Sequence, residues 1–200
     1  MMTMRTVALT KESTKDILEN LLKRSPNNYG KFESAVDEIL KNVKEKGDEA
    51  LFAYTKEFDK TEVTKETIRV TEEEIKEAYE AVDPALIEVI RKALVNIRSY
   101  HEKQRQNSWF TTEAKGTMLG QKVTPLERVG VYVPGGKAVY PSSVLMNIVP
   151  AKVAGVDQIV MTTPPGKDGK VYPTTLVAAK EAGVDVIYKV GGAQAIAAMA

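Results

Sequence analysis

The feature that most constrains this chain is the ordered alternation in its last third. Short β-branched runs take turns with helical runs, and each strand run closes on glycine or proline. Residues 129–133 read as a strand, Pro134-Gly135-Gly136 as a turn, and 142–154 as a helix. A second strand over 158–162 meets Pro164, Pro165 and Gly166; a helix over 173–181 ends before Gly183. A third strand over 185–190 runs into Gly191-Gly192, which opens a helix over 193–200. Strands separated by whole helices cannot pair as hairpins, so this order requires parallel strands joined by right-handed crossovers. Parallel sheets are covered on both faces and carry little charge. From position 125 onward the chain has only 7 of its 28 Lys+Arg and 5 of its 27 Asp+Glu. Pro150 falls inside the first of these helices and should kink or shorten it, because it lacks the N–H that the helical ladder uses.

The region 1–124 holds the remaining charges and reads as solvated helices. Ile17, Leu18, Leu21 and Leu22 form one apolar stripe, and Val36, Ile39, Leu40 and Val43 a second, closed by Gly47. Leu51, Phe52, Thr55 and Phe58 suggest a third helix, and Ile68 to Val70 a short strand. Thr71 with Glu74 has capping-box spacing. Asp83 and Pro84 read as N-cap and first helical residue of a helix carrying Ile90, Leu94, Ile97 and Tyr100 and running to about Gln106. Residues 109–124 have β character, with a turn near Lys115-Gly116. Narrow apolar stripes of this kind also suit an arm that packs on another subunit. The expected fold class is therefore α/β: a Rossmann-like parallel sheet (βαβαβα, incomplete) over 125–200, preceded by an N-terminal helical region with a short β segment over 1–124.

Several chemistries are excluded. With no cysteine and a single histidine, His101, the chain cannot supply disulfides, a thiol nucleophile or an ordinary zinc site, which takes about three protein ligands. A Ser-His-Asp triad fails for the same reason. A net charge of +1 gives no reason to expect nucleic acid or an anionic membrane as partner. No run reaches the roughly 18 apolar residues of a membrane span. Residues 1–10 lack the apolar stretch of a secretory signal. The expected location is the cytoplasm.

The candidate site is the pair of glycine turns. Val133-Pro134-Gly135-Gly136 and Val190-Gly191-Gly192 each end a strand before a helix. Glycine allows a tight turn and close approach of a ligand, and a helix N-terminus offers free N–H groups. Ligands of open parallel sheets sit beyond the carboxyl ends of the strands, where both turns fall. Glycines also occur after strands for steric reasons alone, and neither G-x-G-x-x-G nor a P-loop motif is present. From the pattern alone, both readings of the glycines stand.

A longer match adds to this. The runs E-R-V-G-V-Y-V-P-G-G at 127–136, Y-P-S-S-V-L-M-N at 140–147, P-A-K-V-A-G-V at 150–156 and V-G-G-A-Q-A-I-A-A at 190–198 resemble the histidinol dehydrogenase family. The resemblance extends, more loosely, over the N-terminal helices. It implies a zinc-dependent, homodimeric enzyme of histidine biosynthesis, with exchanged segments, that oxidises L-histidinol to L-histidine through the aldehyde with two NAD in succession. It also implies that Tyr132 and Gln194 contact NAD, with Gly135, Gly136, Gly191 and Gly192 as lining. A third cofactor-contacting asparagine, the zinc ligands and the Glu-His pair that handles protons are expected past Ala200. The family enzyme is about twice as long, so the chain reads as an N-terminal part, inactive on histidinol by itself. Two alternatives remain at this point: a related dehydrogenase of another polar alcohol, and a non-catalytic dimerisation or nucleotide-binding module.

Overall fold

A computed structural model describes residues 8, 10–22, 30–135 and 139–200. The chain divides into two compact units, Met1–Glu38 and Ile39–Ala200, with the boundary inside a helix. In the first unit, α1 (Lys11–Leu22) starts where Thr10 and Ser13 exchange backbone-to-hydroxyl hydrogen bonds of 2.8 and 3.1 Å. The side chains of Leu18, Leu21 and Leu22 lie outside the described set. Helix α2 (Gly30–Lys46) crosses the boundary and ends at Gly47, whose φ of 55° reverses the chain into α3 (Asp48–Asp59). Of the expected α2 stripe, Val43 is buried while Val36 and Leu40 remain exposed.

The second unit is layered. Helix α4 (Glu72–Ala81) opens with the expected capping box: Glu74 N–H donates to the Thr71 hydroxyl, and the Thr71 N–H donates to the Glu74 carboxylate. Helix α5 (Pro84–Glu102) opens with Asp83 as N-cap. It stops short of Gln106. Ile97 is its last core-facing residue and Tyr100 is already exposed, so no apolar burial holds a further turn, and the chain leaves through tighter i,i+3 bonds. A hairpin follows, β1 (Trp109–Thr112) with β2 (Met118–Gln121), turned at Gly116 with φ 82°.

The sheet is β3 (Arg128–Tyr132), β4 (Gln158–Thr163) and β5 (Val186–Lys189), parallel and in the order β3-β4-β5. Helices α6 (Pro141–Ala154) and α7 (Pro173–Ala182) make the crossovers, each ended by a left-handed glycine, Gly155 and Gly183. Helix α8 (Gly192–Met199) follows β5. Register explains the two cores. Val131, Met161 and Ile187 form one cross-strand row that packs with α6, α7 and the helices outside them. Tyr132, Thr162 and Tyr188 form the next row; its two tyrosines pack on the opposite face with Leu51 of α3 and Ala195 of α8. Residues 68–70 extend the β5 edge antiparallel, through Val70 N–H to Ile187 at 2.9 Å and Lys189 N–H to Ile68 at 2.7 Å. The expected Rossmann-like α/β class is the observed one.

Pro150 does not shorten α6, which runs unbroken from Pro141 to Ala154. The carbonyl deprived of its donor belongs to Met146, an exposed residue of the helix. The outer helices are tied down by Glu181 of α7, which accepts hydrogen bonds from Tyr79 of α4 and Arg91 of α5, each at 2.8 Å. Burial, reinforced by the Glu181 carboxylate, pushes the Tyr79 phenol up to about 12. The Arg91 guanidinium holds Glu181 below the ordinary value of 4.5. A carboxylate with a lowered folded-state pKa stabilises the fold above its unfolded pKa, and that contribution is lost as pH falls through the lowered value. Urea titrations should therefore show Glu181→Gln less stable than wild type at pH 7, with the gap closing below pH 4.5. A gap of equal size at acid pH would refute the ion-pair origin.

Candidate functional site at the carboxyl edge of the sheet

Helices α6 and α7 cover one face of the sheet, and α8 crosses to the other, where it lies over β3. Gly130 permits that approach, since a Cβ there would sit 2.7 Å from the Met199 sulfur. Helix α8 thus turns back toward β3 on the other face, as the winding does at a switch point, where open α/β sheets take ligands. Tyr132 is the last residue of β3, on the α8 face.

Two sequence-identified residues converge on Gly192. The Gly192 N–H donates to the Tyr132 hydroxyl at 3.3 Å, so the phenol serves the start of α8, where Gly191 has no side chain to cap with. Gln194 folds back against the same glycine: a Cβ on Gly192 would meet its Oε1 at 2.4 Å. Gly192 also has φ +69°, a conformation that disfavours any side chain. Gln194 is 1% exposed, and neither its Oε1 nor its Nε2 has a partner. An enclosed amide without partners costs about 1–3 kcal/mol.

The other glycines have a packing reason that the sequence did not reveal. Pro164, just beyond the central strand, sits between the two turns. A Cβ on Gly135 would lie 2.9 Å from its ring, and one on Gly191 only 2.5 Å from its Cβ. Gly136 lies outside the described residues. A second feature missed from sequence is a buried ion pair, Lys189 Nζ to Glu74 Oε1 at 2.8 Å. Its signal was available: strand alternation puts Lys189 on the same face as Ile187.

His101 is remote from this edge, its Nδ1 2.7 Å from the Gln104 amide oxygen at the end of α5. No group of three His, Cys, Asp or Glu able to hold a metal occurs among the described residues. A cavity of about 610 Å³ opens on the α8 face, lined by Arg128, Gly130, Val160, Tyr188 and Leu51 among others; neither Tyr132 nor Gln194 lines it. None of the helices is long and apolar enough to cross a membrane among the described residues.

The fold defines an α/β protein with Rossmann-like winding, and its candidate site lies at the carboxyl edge beside the first parallel strand. A family model described as histidinol dehydrogenase matches residues 22–200, and the chain belongs to that family. It is 58% identical over 182 residues to histidinol dehydrogenase of Heliobacterium mobile, covering 91% of this chain and 43% of that protein. It is 52% identical over 191 residues to the Methanocaldococcus jannaschii protein of the same name, covering 95% and 44%. Among solved structures, histidinol dehydrogenase from Elizabethkingia anophelis matches with a TM-score of 0.78 and 38% identity, over 84% of this chain and 38% of that one. The chain thus spans about two-fifths of the length of these relatives.

Proposed function

We propose that this chain supplies the NAD-binding segment, within 125–200, of an enzyme that oxidises L-histidinol to L-histidine through L-histidinaldehyde in histidine biosynthesis. The full-length protein would be a homodimeric cytoplasmic enzyme. The observation that carries the cofactor reading is Gln194: an enclosed amide with both polar atoms free, in the first turn of the helix at the switch point. NAD has what that amide lacks, groups that accept from an N–H and donate to a carbonyl, and Gln194 can do both at once. The Tyr132 hydroxyl accepts from Gly192 and keeps its own proton to donate. Gly191 and Gly192 bring the backbone of the turn close, with Gly135 as lining across from it.

NAD, when bound, supplies the hydride acceptor; the residues here bind and orient it. The zinc that the family implies finds no ligand set among the described residues.

NAD titrations of a full-length enzyme carrying this sequence test the reading. Gln194→Ala should cost about 1–2 kcal/mol, roughly a tenfold rise in the dissociation constant. Tyr132→Phe should cost less if the ring makes the contact by stacking, and a similar amount if the hydroxyl does. Zinc affinity should stay at the wild-type value in both. Wild-type NAD affinity in Gln194→Ala would remove the assignment.

A further inference from the structure

Lys189 ends β5, two residues before the Gly191-Gly192 turn, and its ammonium is buried. Its partner Glu74 works in two directions. One carboxylate oxygen takes the Thr71 N–H at 2.9 Å and so caps α4; the other takes Lys189 Nζ at 2.8 Å. The Lys189 backbone is held too, by its N–H bond of 2.7 Å to Ile68. The strand end is therefore fixed by a side-chain and a main-chain bond to the single stretch 68–74, immediately before the turn that presents Gln194. Among the described residues, two other ion pairs join α4 to the α/β layers, Lys180–Glu72 and Lys170–Glu77, but both are largely exposed. Of these three, only the Lys189–Glu74 pair is enclosed, with side-chain exposures of 8% and 19%. Enclosed pairs are weak contributors to stability, and apolar replacements of both partners are often neutral. Stability is thus a poor reason for a lysine in this strand, and its place beside the turn is a better one.

We propose that Lys189 and Glu74 are positioning residues, which hold the end of β5 so that Gly192 and Gln194 stand in their ligand-binding arrangement. The inference rests on the cofactor reading above and adds to it a part of the fold, α4, that does not reach the candidate site. Burial tends to raise the Glu74 carboxyl, but the bonds from Lys189 and the Thr71 backbone, with the lysine charge, outweigh it and hold it below the ordinary range. The Glu74 side chain is therefore a carboxylate at neutral pH.

The test uses the full-length enzyme. Lys189→Met alone strands a carboxylate and can unfold the protein, so the informative variant is Lys189→Met with Glu74→Gln. It removes both charges, and glutamine still serves a capping box. Its thermal midpoint should match or exceed wild type. NAD affinity should fall about tenfold, and Gln194→Ala added to it should cost less than about threefold more, because the two changes act on one arrangement. Hydrogen exchange by mass spectrometry should rise about tenfold in rate across 190–194 and stay unchanged in β4. A merely structural pair would leave both readouts at wild type in this folded double variant, and that result would overturn the proposal. If Gln194→Ala alone leaves NAD binding intact, the cofactor reading fails, and the exchange at 190–194 decides positioning independently. If Gln194→Ala weakens NAD while the double variant binds and exchanges like wild type, positioning fails and the cofactor reading stands.

Discussion

Ile159→Ala is expected to lower the unfolding free energy by about 4 kcal/mol, the largest loss foreseen for a single truncation in this chain. Ile159 is in the central strand β4, paired with Val129, and is 0% exposed. Its side chain belongs to the core between the sheet and α6 and α7, together with Ile148, Val177 and Met161. Two strands flank it, so the backbone cannot move inward to fill the hole, and both the transfer term and the cavity term apply in full. Ile196→Ala is the control. That residue lies in α8 at 47% exposure and should change stability by less than about 0.5 kcal/mol. Urea midpoints with unchanged slopes would measure both. A loss below about 2 kcal/mol for Ile159→Ala would mean that the core relaxes around it, against the packing described.

Gly191→Ala should be the second largest, at about 3 kcal/mol. The backbone there, φ −121° and ψ −172°, suits any residue, so the effect is steric and not conformational. The new methyl would lie 2.5 Å from Pro164 Cβ, 3.1 Å from its Cγ and 3.2 Å from its Cα. A proline ring cannot rotate away, and its strand is held on both sides, so the turn itself must move. That turn carries Gly192 and Gln194, and NAD affinity should fall with stability. Pro164→Gly in the same chain removes the two nearest opposing atoms, Cβ and Cγ, and should recover much of the stability lost to the methyl. If Gly191→Ala is as stable as wild type, Pro164 is not the reason for this glycine. If Pro164→Gly fails to recover any stability in the double variant, the clash is not its cause.

The fold was legible where short-range rules decide it. Alternation of apolar strands with helical runs required parallel pairing, and β3, β4 and β5 are parallel in that order. Thr71 with Glu74, and Asp83 with Pro84, mark helix starts because a side-chain oxygen must meet a nearby free N–H, which depends on spacing alone. Pro150 leaves the length of α6 unchanged, because the cost of a missing N–H depends on its surroundings, and Met146, whose carbonyl loses its donor, is an exposed residue. The stop of α5 at Glu102 likewise depended on where the core ends, not on helix propensity.

The site divides the same way. Motif matching singled out Tyr132 and Gln194, and the chain order of strand, glycine turn and helix was enough to put both at the carboxyl edge. Their meeting at Gly192 was not in that order: β5 reaches β3 only through the sheet register, and α8 then doubles back over the first strand. Local spacing cannot report that Pro164 fills the gap between the two glycine turns, 29 residues from one and 27 from the other. Nor can it report that Glu74 reaches Lys189 across a separation of 115 residues. Strand, turn and cap follow from interactions within a few residues, and these are written in the sequence as spacing. Which glycine is spared a clash, which lysine finds a carboxylate and which amide is left without a partner are set by atoms distant in sequence, and exist only once the layers have packed.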